Sequence, residues 1–149
     1  MTSTDVTQRV ADELEIRNLL AQLTYLADTV TDADIDTYLD LFTDDATWAV
    51  MSDGIVGAQE RRGRDQILEG VLERRRDGIQ GPGTSTRHAL HTIHVRFDST
   101  DEAWATCYWQ YYKETTSPSP VLAGLGEYRN RVVRTPAGWR LARRELVPG

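Results

Sequence analysis

All three histidines of this 149-residue chain, His88, His91 and His94, fall within the single stretch "TRHALHTIHV". Imidazoles gathered this way suggest a metal site, a catalytic base or mere coincidence. In an extended strand successive side chains alternate, so His88 and His94 share a face and His91 takes the other, unless a bulge intervenes. Same-face residues that far apart are badly placed for one tetrahedral ion without ligands from elsewhere, so no metal is expected. His88 is the candidate base, its alternative being a buried or rim histidine hydrogen-bonded to backbone. A histidine with an ordinary pKa of about 6.5 takes or gives a proton at neutral pH, as elimination or isomerisation beside a carbonyl requires.

A base of this kind needs an orienting partner. Asp28 closes the apolar stripe of "ADELEIRNLLAQLTYLADTV", and a carboxylate there is costly to bury unpaired. Accepting a hydrogen bond from one ring nitrogen of His88 would fix the tautomer and leave the other nitrogen free. Tyr25, Trp48, Trp109, Tyr111 and Tyr128 are the candidates to line an apolar ligand pocket, their alternative role being core packing. Cys107 has no basic neighbour in sequence and reads as a buried thiol rather than a nucleophile. Arg129, Arg131, Arg140, Arg143 and Arg144 read mostly as a solvated hairpin surface. Arg143, sharing a strand face with Trp139 and Leu141, is the one expected to reach a pocket mouth. Phosphate loops, serine elbows and paired catalytic glutamates are absent from the sequence.

The elements that must position these groups follow from periodicity. Leu14, Ile16, Leu19, Leu20, Leu23, Leu26 and Ala27 recur mostly at spacings of three and four, a core-facing helix. Asp12 and Glu15 have the form of a capping box, which starts that helix near Asp12, with Val6 and Val10 on an earlier turn. "TDADIDTYLDLF" reads as a short second helix capped by Thr31 or Asp32, and "DATWAVM" as a strand. "GRDQILEGVLERRRDG" reads as a third helix, lined by Ile67, Leu68, Val71 and Leu72 and stopped at Gly78. Strands follow over about 86–97 and 102–115, then "GLGEYRNRVVR", the turn "TPAG" and "WRLARREL". Helices first and long strands after give an α+β class: N-terminal helices packed on a strongly curved, mainly antiparallel sheet, with a pocket between the layers.

The same element order, with "ELEIRNLLAQLTYLADT", "DIDTYLDLFTDDATW", "GRDQI", "TRHALHTIHV" and "GEYRNRVVRTPAGWRLARRE", resembles the SnoaL-like branch of the nuclear-transport-factor-two-like superfamily. The resemblance implies a cone-shaped α+β barrel with an open-ended pocket. It includes polyketide cyclases, scytalone and bile-acid dehydratases, a dehydrochlorinase and dioxygenase small subunits. It also implies a catalytic histidine at His88 and its acid at Asp28. Positions carrying accessory polar groups in some of those enzymes are Leu23, Val30 and Thr31 here, and a second pocket histidine of scytalone dehydratase aligns with Trp109.

Bulk properties bound the alternatives. A net charge of -6 argues against nucleic acid and anionic membrane surfaces. One cysteine excludes an intrachain disulfide, and with no signal-like apolar run at the N-terminus a cytoplasmic protein is expected. Hydrophobic content of 40% over 149 residues suits one domain spanning 1–149. The expected function is a cofactor-independent lyase or isomerase acting on a small hydrophobic cyclic compound through His88 and Asp28. The competing expectations are a non-catalytic carrier of such a ligand and a small subunit of a dioxygenase-like complex. Strand aromatics on the sheet face away from the helices imply a homodimer or higher homo-oligomer.

Overall fold

The computed structural model describes residues 2–52 and 55–149, and of 55–58 only the backbone. Helix α1 (Ser3–Thr29) leads into a 3₁₀ turn (Asp32–Asp34) and the single-turn helix α2 (Asp36–Leu39). Strands β1 (Phe42–Ser52) and β2 (Ile55–Arg62) precede helix α3 (Gly63–Arg76), and β3 (Thr86–Phe97), β4 (Glu102–Lys113), β5 (Val121–Thr135) and β6 (Gly138–Pro148) complete the chain. The six strands form one sheet in the order β2-β1-β6-β5-β4-β3. Among the described residues only the β1–β6 pair is parallel. The α+β class with helices on a mainly antiparallel sheet is therefore as expected; the sheet does not close, and β2 and β3 are its edges. Among the described residues no helix is long and apolar enough to cross a membrane.

Helix α1 starts nine residues before Asp12. Thr2 and Asp5 form the capping box, Thr2 Oγ1 accepting from the Asp5 N–H while the Asp5 carboxylate accepts from the Thr2 N–H. Ile16, Leu19, Leu20 and Leu23 are buried against the sheet, whereas Val6, Val10 and Leu14 face solvent. The second helix is shorter than its pattern suggests, since Phe42 already belongs to β1. Strand β2, which carries no alternation in the sequence strong enough to mark it, pairs with β1.

Asp12 and Glu15 do different work from a cap. Asp12 is buried, and its two oxygens accept from Arg134 Nη1 and Nη2 at 3.0 and 2.7 Å. Trp139 Nε1 also donates to it, at 3.1 Å, and Gln8 Nε2 at 3.0 Å. Glu15 accepts the Trp139 N–H at 2.8 Å, close enough to Gly138 that a Cβ there would lie 2.4 Å from Glu15 Oε1. The turn also holds Gly138 at φ +105°, a conformation other residues rarely adopt. Two carboxylates thus clamp α1 onto the β5–β6 hairpin, and the wholly buried Trp139, Phe42, Val132 and Leu141 pack beneath.

Burial tends to raise the Asp12 pKa, but the hydrogen bonds from Arg134, Trp139 and Gln8 outweigh it and hold the carboxyl below the usual range. A depressed folded-state pKa contributes stability above the unfolded value of about 3.9 and loses it as pH falls through the folded one. We expect Asp12→Asn to cost about 2 kcal/mol at pH 7, below the range for a fully buried pair because Arg134 is partly exposed. In denaturant titrations the gap between the variant and wild type should narrow below about pH 4. A gap independent of pH would contradict the clamp.

Candidate active site

The carboxylate of Asp28 is 3% exposed at the end of α1. It faces β3, an edge strand, half of whose N–H groups point away from β4 and need another partner. Asp28 Oδ2 accepts the backbone N–H of His88 at 2.8 Å, and Oδ1 lies 2.9 Å from His88 Nδ1. A carboxylate only accepts, so Nδ1 carries the hydrogen and Nε2 presents its lone pair whenever the ring is neutral. Tyr111, opposite His88 on β4, stacks its ring at 4.9 Å from the imidazole and donates its hydroxyl to Ile79 O at 2.7 Å. The ring is thereby gripped at one edge and covered on one face, and its side chain remains 16% exposed.

His88 opens onto a cavity of about 200 Å³ between α1, α3 and the sheet. Trp48, Trp109, Tyr111 and Tyr128, four of the five candidate aromatics, line it together with Leu23, Tyr38 and Leu146. The Trp109 indole lies across Gly126, where a Cβ would come within 2.7 Å of the ring, and its centroid is 5.9 Å from that of Tyr128. Burial pushes the Tyr128 phenol pKa up, Arg144 opposing it. Tyr25 does not belong to the site. It is 68% exposed, because two helical residues turn the chain about 200° from Leu23 to the opposite side of α1.

Two β-bulges decide which other groups enter. On β3 the register shifts between His91 and His94, with Thr92 at φ +56°. Leu90 faces in before the shift, and Ile93, Val95 and Phe97 after it. His94 therefore joins His91 on the outer face, opposite His88, which corrects the alternation expected for an unbroken strand. His91 Nδ1 contacts Thr92 Oγ1 at 3.0 Å and its ring meets Tyr108 edge-on. Among the described residues no group of three His, Cys, Asp or Glu side chains could hold a metal ion.

On β6 a second shift puts Arg131 opposite Arg143 and Val132 opposite Leu141. Arg143 is thereby turned outward, to Thr47 Oγ1 at 3.0 Å and to Glu60 and Glu145 at 3.3 Å, so it does not reach the pocket. Arg144, expected at a solvated surface, lines the cavity instead and is 4% exposed. Arg74 and Gln80 line it too. Arg74, in a basic run read as a solvated helix face, was missed, although it continues the Ile67, Gly70, Val71 face of α3 at helical spacing. Cys107 is buried as expected, and burial raises its thiol pKa.

A family model described as the SnoaL-like domain matches residues 8–145. Among curated proteins none matches the sequence significantly. Solved structures do. An NTF2-like protein with a cystatin-like fold from Novosphingobium aromaticivorans is 27% identical, with a TM-score of 0.78 over 99% of this chain and 90% of that one. A scytalone dehydratase-like protein from the same organism is 19% identical, TM-score 0.74, over 97% and 88%. ActVI-ORFA from Streptomyces coelicolor is 17% identical, TM-score 0.72, over 91% and 96%.

The Asp28 contact has a direct spectroscopic consequence. Above the pH at which the ring becomes neutral, long-range ¹H–¹⁵N spectra should show His88 as the Nδ1–H tautomer, with Nε2 unprotonated. The opposite tautomer would contradict the geometry.

Proposed function

We propose, from the premise that this chain belongs to the SnoaL-like domain family, that it is a cofactor-independent lyase or isomerase of small hydrophobic cyclic compounds. One observation carries this reading: a histidine with its Nδ1 held by a buried carboxylate, exposed on the wall of an aromatic-lined cavity. The likeness to the scytalone dehydratase-like structure supports the same class of chemistry by analogy.

In this mechanism His88 Nε2 removes a proton from a ring carbon beside a carbonyl. The C–H electron pair passes into an enolate, and Asp28 stabilises the imidazolium that forms. In a dehydration the enolate electrons then expel a hydroxyl from the next carbon, which leaves as water with the proton that His88 gives back. In an isomerisation His88 returns that proton to a different carbon. Pocket donors stabilise the developing oxyanion, and the indole and phenol rings exclude water from the base.

The test is a screen of cyclic β-hydroxyketones in D₂O, followed by ¹H NMR for loss of the proton beside the carbonyl or appearance of the enone. Wild-type protein should turn over at least one of them. His88→Ala should lower that rate by about 10²–10⁴-fold, the usual range for a general base, and Asp28→Asn should lower it strongly. Full activity in both variants would overturn the mechanism and leave a ligand carrier as the better reading.

A further inference from the structure

The wall that His88 shares is rich in hydrogen-bond donors with nothing to donate to. Arg144 and Gln80 are 4% and 5% exposed, and both line the cavity. Arg144 Nη2, Gln80 Nε2 and Trp109 Nε1 are buried without a hydrogen-bond partner. Buried donors of this kind are nearly always paired in folded proteins, so three on one cavity point to acceptors that arrive with a ligand.

Their orientations are held from behind. Arg144 Nε donates to Asn130 Oδ1 at 2.7 Å, and Asn130 Nδ2 donates to Ala105 O at 2.8 Å, which ties the guanidinium to the β4 backbone. The Tyr128 ring lies 4.1 Å from the guanidinium carbon. Across the cavity wall Arg74 Nε donates to Gln80 Oε1 at 3.3 Å. A guanidinium has only donors, so the Gln80 oxygen must face it and the amide nitrogen is turned away. Arg74 itself lies over the Trp48 ring at 5.0 Å.

Charge tells the same story. Among the described residues neither Arg74 nor Arg144 forms an ion pair with a carboxylate. Both oxygens of the buried Asp28 are already engaged by His88. The lining thus holds two guanidinium groups and no uncommitted carboxylate. Burial lowers the Arg74 pKa, and the neighbouring Glu73 charge opposes this without outweighing it.

We infer that the ligand of this pocket is a ring compound bearing a carboxylate, its oxygens directed to Arg144 and Arg74 and its ring against Trp48, Trp109 and Tyr128. The planar donor fork of arginine matches a carboxylate in shape and charge. Asn130 and Gln80 are positioning residues for the two arginines. The inference deepens the reading above, since it rests on the same pocket being the ligand site, but it does not require His88 to act as a base.

The experiment is isothermal titration calorimetry of the full chain at pH 7 with 2-naphthoate and its neutral isostere 2-naphthamide. Wild type should bind the carboxylate at least about tenfold more tightly than the amide, because charge-assisted hydrogen bonds are roughly twice as strong as neutral ones. Arg144→Gln, with its circular dichroism unchanged, should lose most of that preference. Equal affinities in the wild type, or no detectable naphthoate binding at millimolar concentration, would overturn the inference without any variant. A folded Arg144→Gln that keeps the full preference would also overturn it. Because the readout is equilibrium binding, it can fail while His88 and Asp28 still catalyse, and succeed if they do not.

Discussion

The site depends on a single carboxylate that grips one residue at two points. Asp28 stands at the C-terminal end of α1, where the helix dipole disfavours a negative charge, and it is almost wholly buried. What makes that position tenable is the edge of the sheet: the unpaired N–H of His88 and its ring nitrogen together occupy both oxygens. The same contact closes α1 against β3, fixes the imidazole plane and leaves Nε2 toward the cavity. Fold and candidate chemistry therefore share one interaction, and the clamp of Asp12 and Glu15 on the β5–β6 hairpin secures the middle of the same helix.

Around that dyad the pocket is built by a division of labour along β4. Ala103, Ala105 and Cys107 face the core where helix and sheet meet closely, and Trp109 and Tyr111 continue the same face into the cavity. Gly126 on β5 leaves the space that the Trp109 indole covers. The polar groups arrive from elsewhere, Arg74 from α3, Gln80 from the loop after it and Arg144 from β6. The resulting chamber is aromatic on its walls and strongly electropositive at one part of its lining, within a chain whose net charge is -6. Overall acidity and local basicity are separate properties here.

Much of this was legible in residue order. The pairing of His88 with Asp28 was implied by the family resemblance, since position alone left each open to a structural role, and the strand limits of β3 and β6 were read nearly as they are. What straight alternation misses is the bulge. On β3 the apolar positions change parity between Leu90 and Ile93, and on β6 Leu141 and Leu146 stand five apart, a spacing that cannot lie on one face of an unbroken strand. Those parity changes are the signals that would have sent His94 outward and Arg144 inward. Tyr25 was expected among the pocket aromatics, but two helical residues beyond Leu23 it is turned to the opposite side of α1. The partner of Asp12, Arg134, is 122 residues distant in sequence, and no local pattern joins them.

The central claim is the energetic coupling of the His88 ring to the Asp28 carboxylate, and a double-mutant cycle of His88→Ala and Asp28→Asn measures it without knowledge of the substrate. In denaturant unfolding the account predicts a coupling of about 1 kcal/mol or more, the range found for residues in direct hydrogen-bonded contact. Single-variant effects that simply add, to within about 0.3 kcal/mol, would mean that the two side chains do not interact in solution, and the account would be wrong at its base.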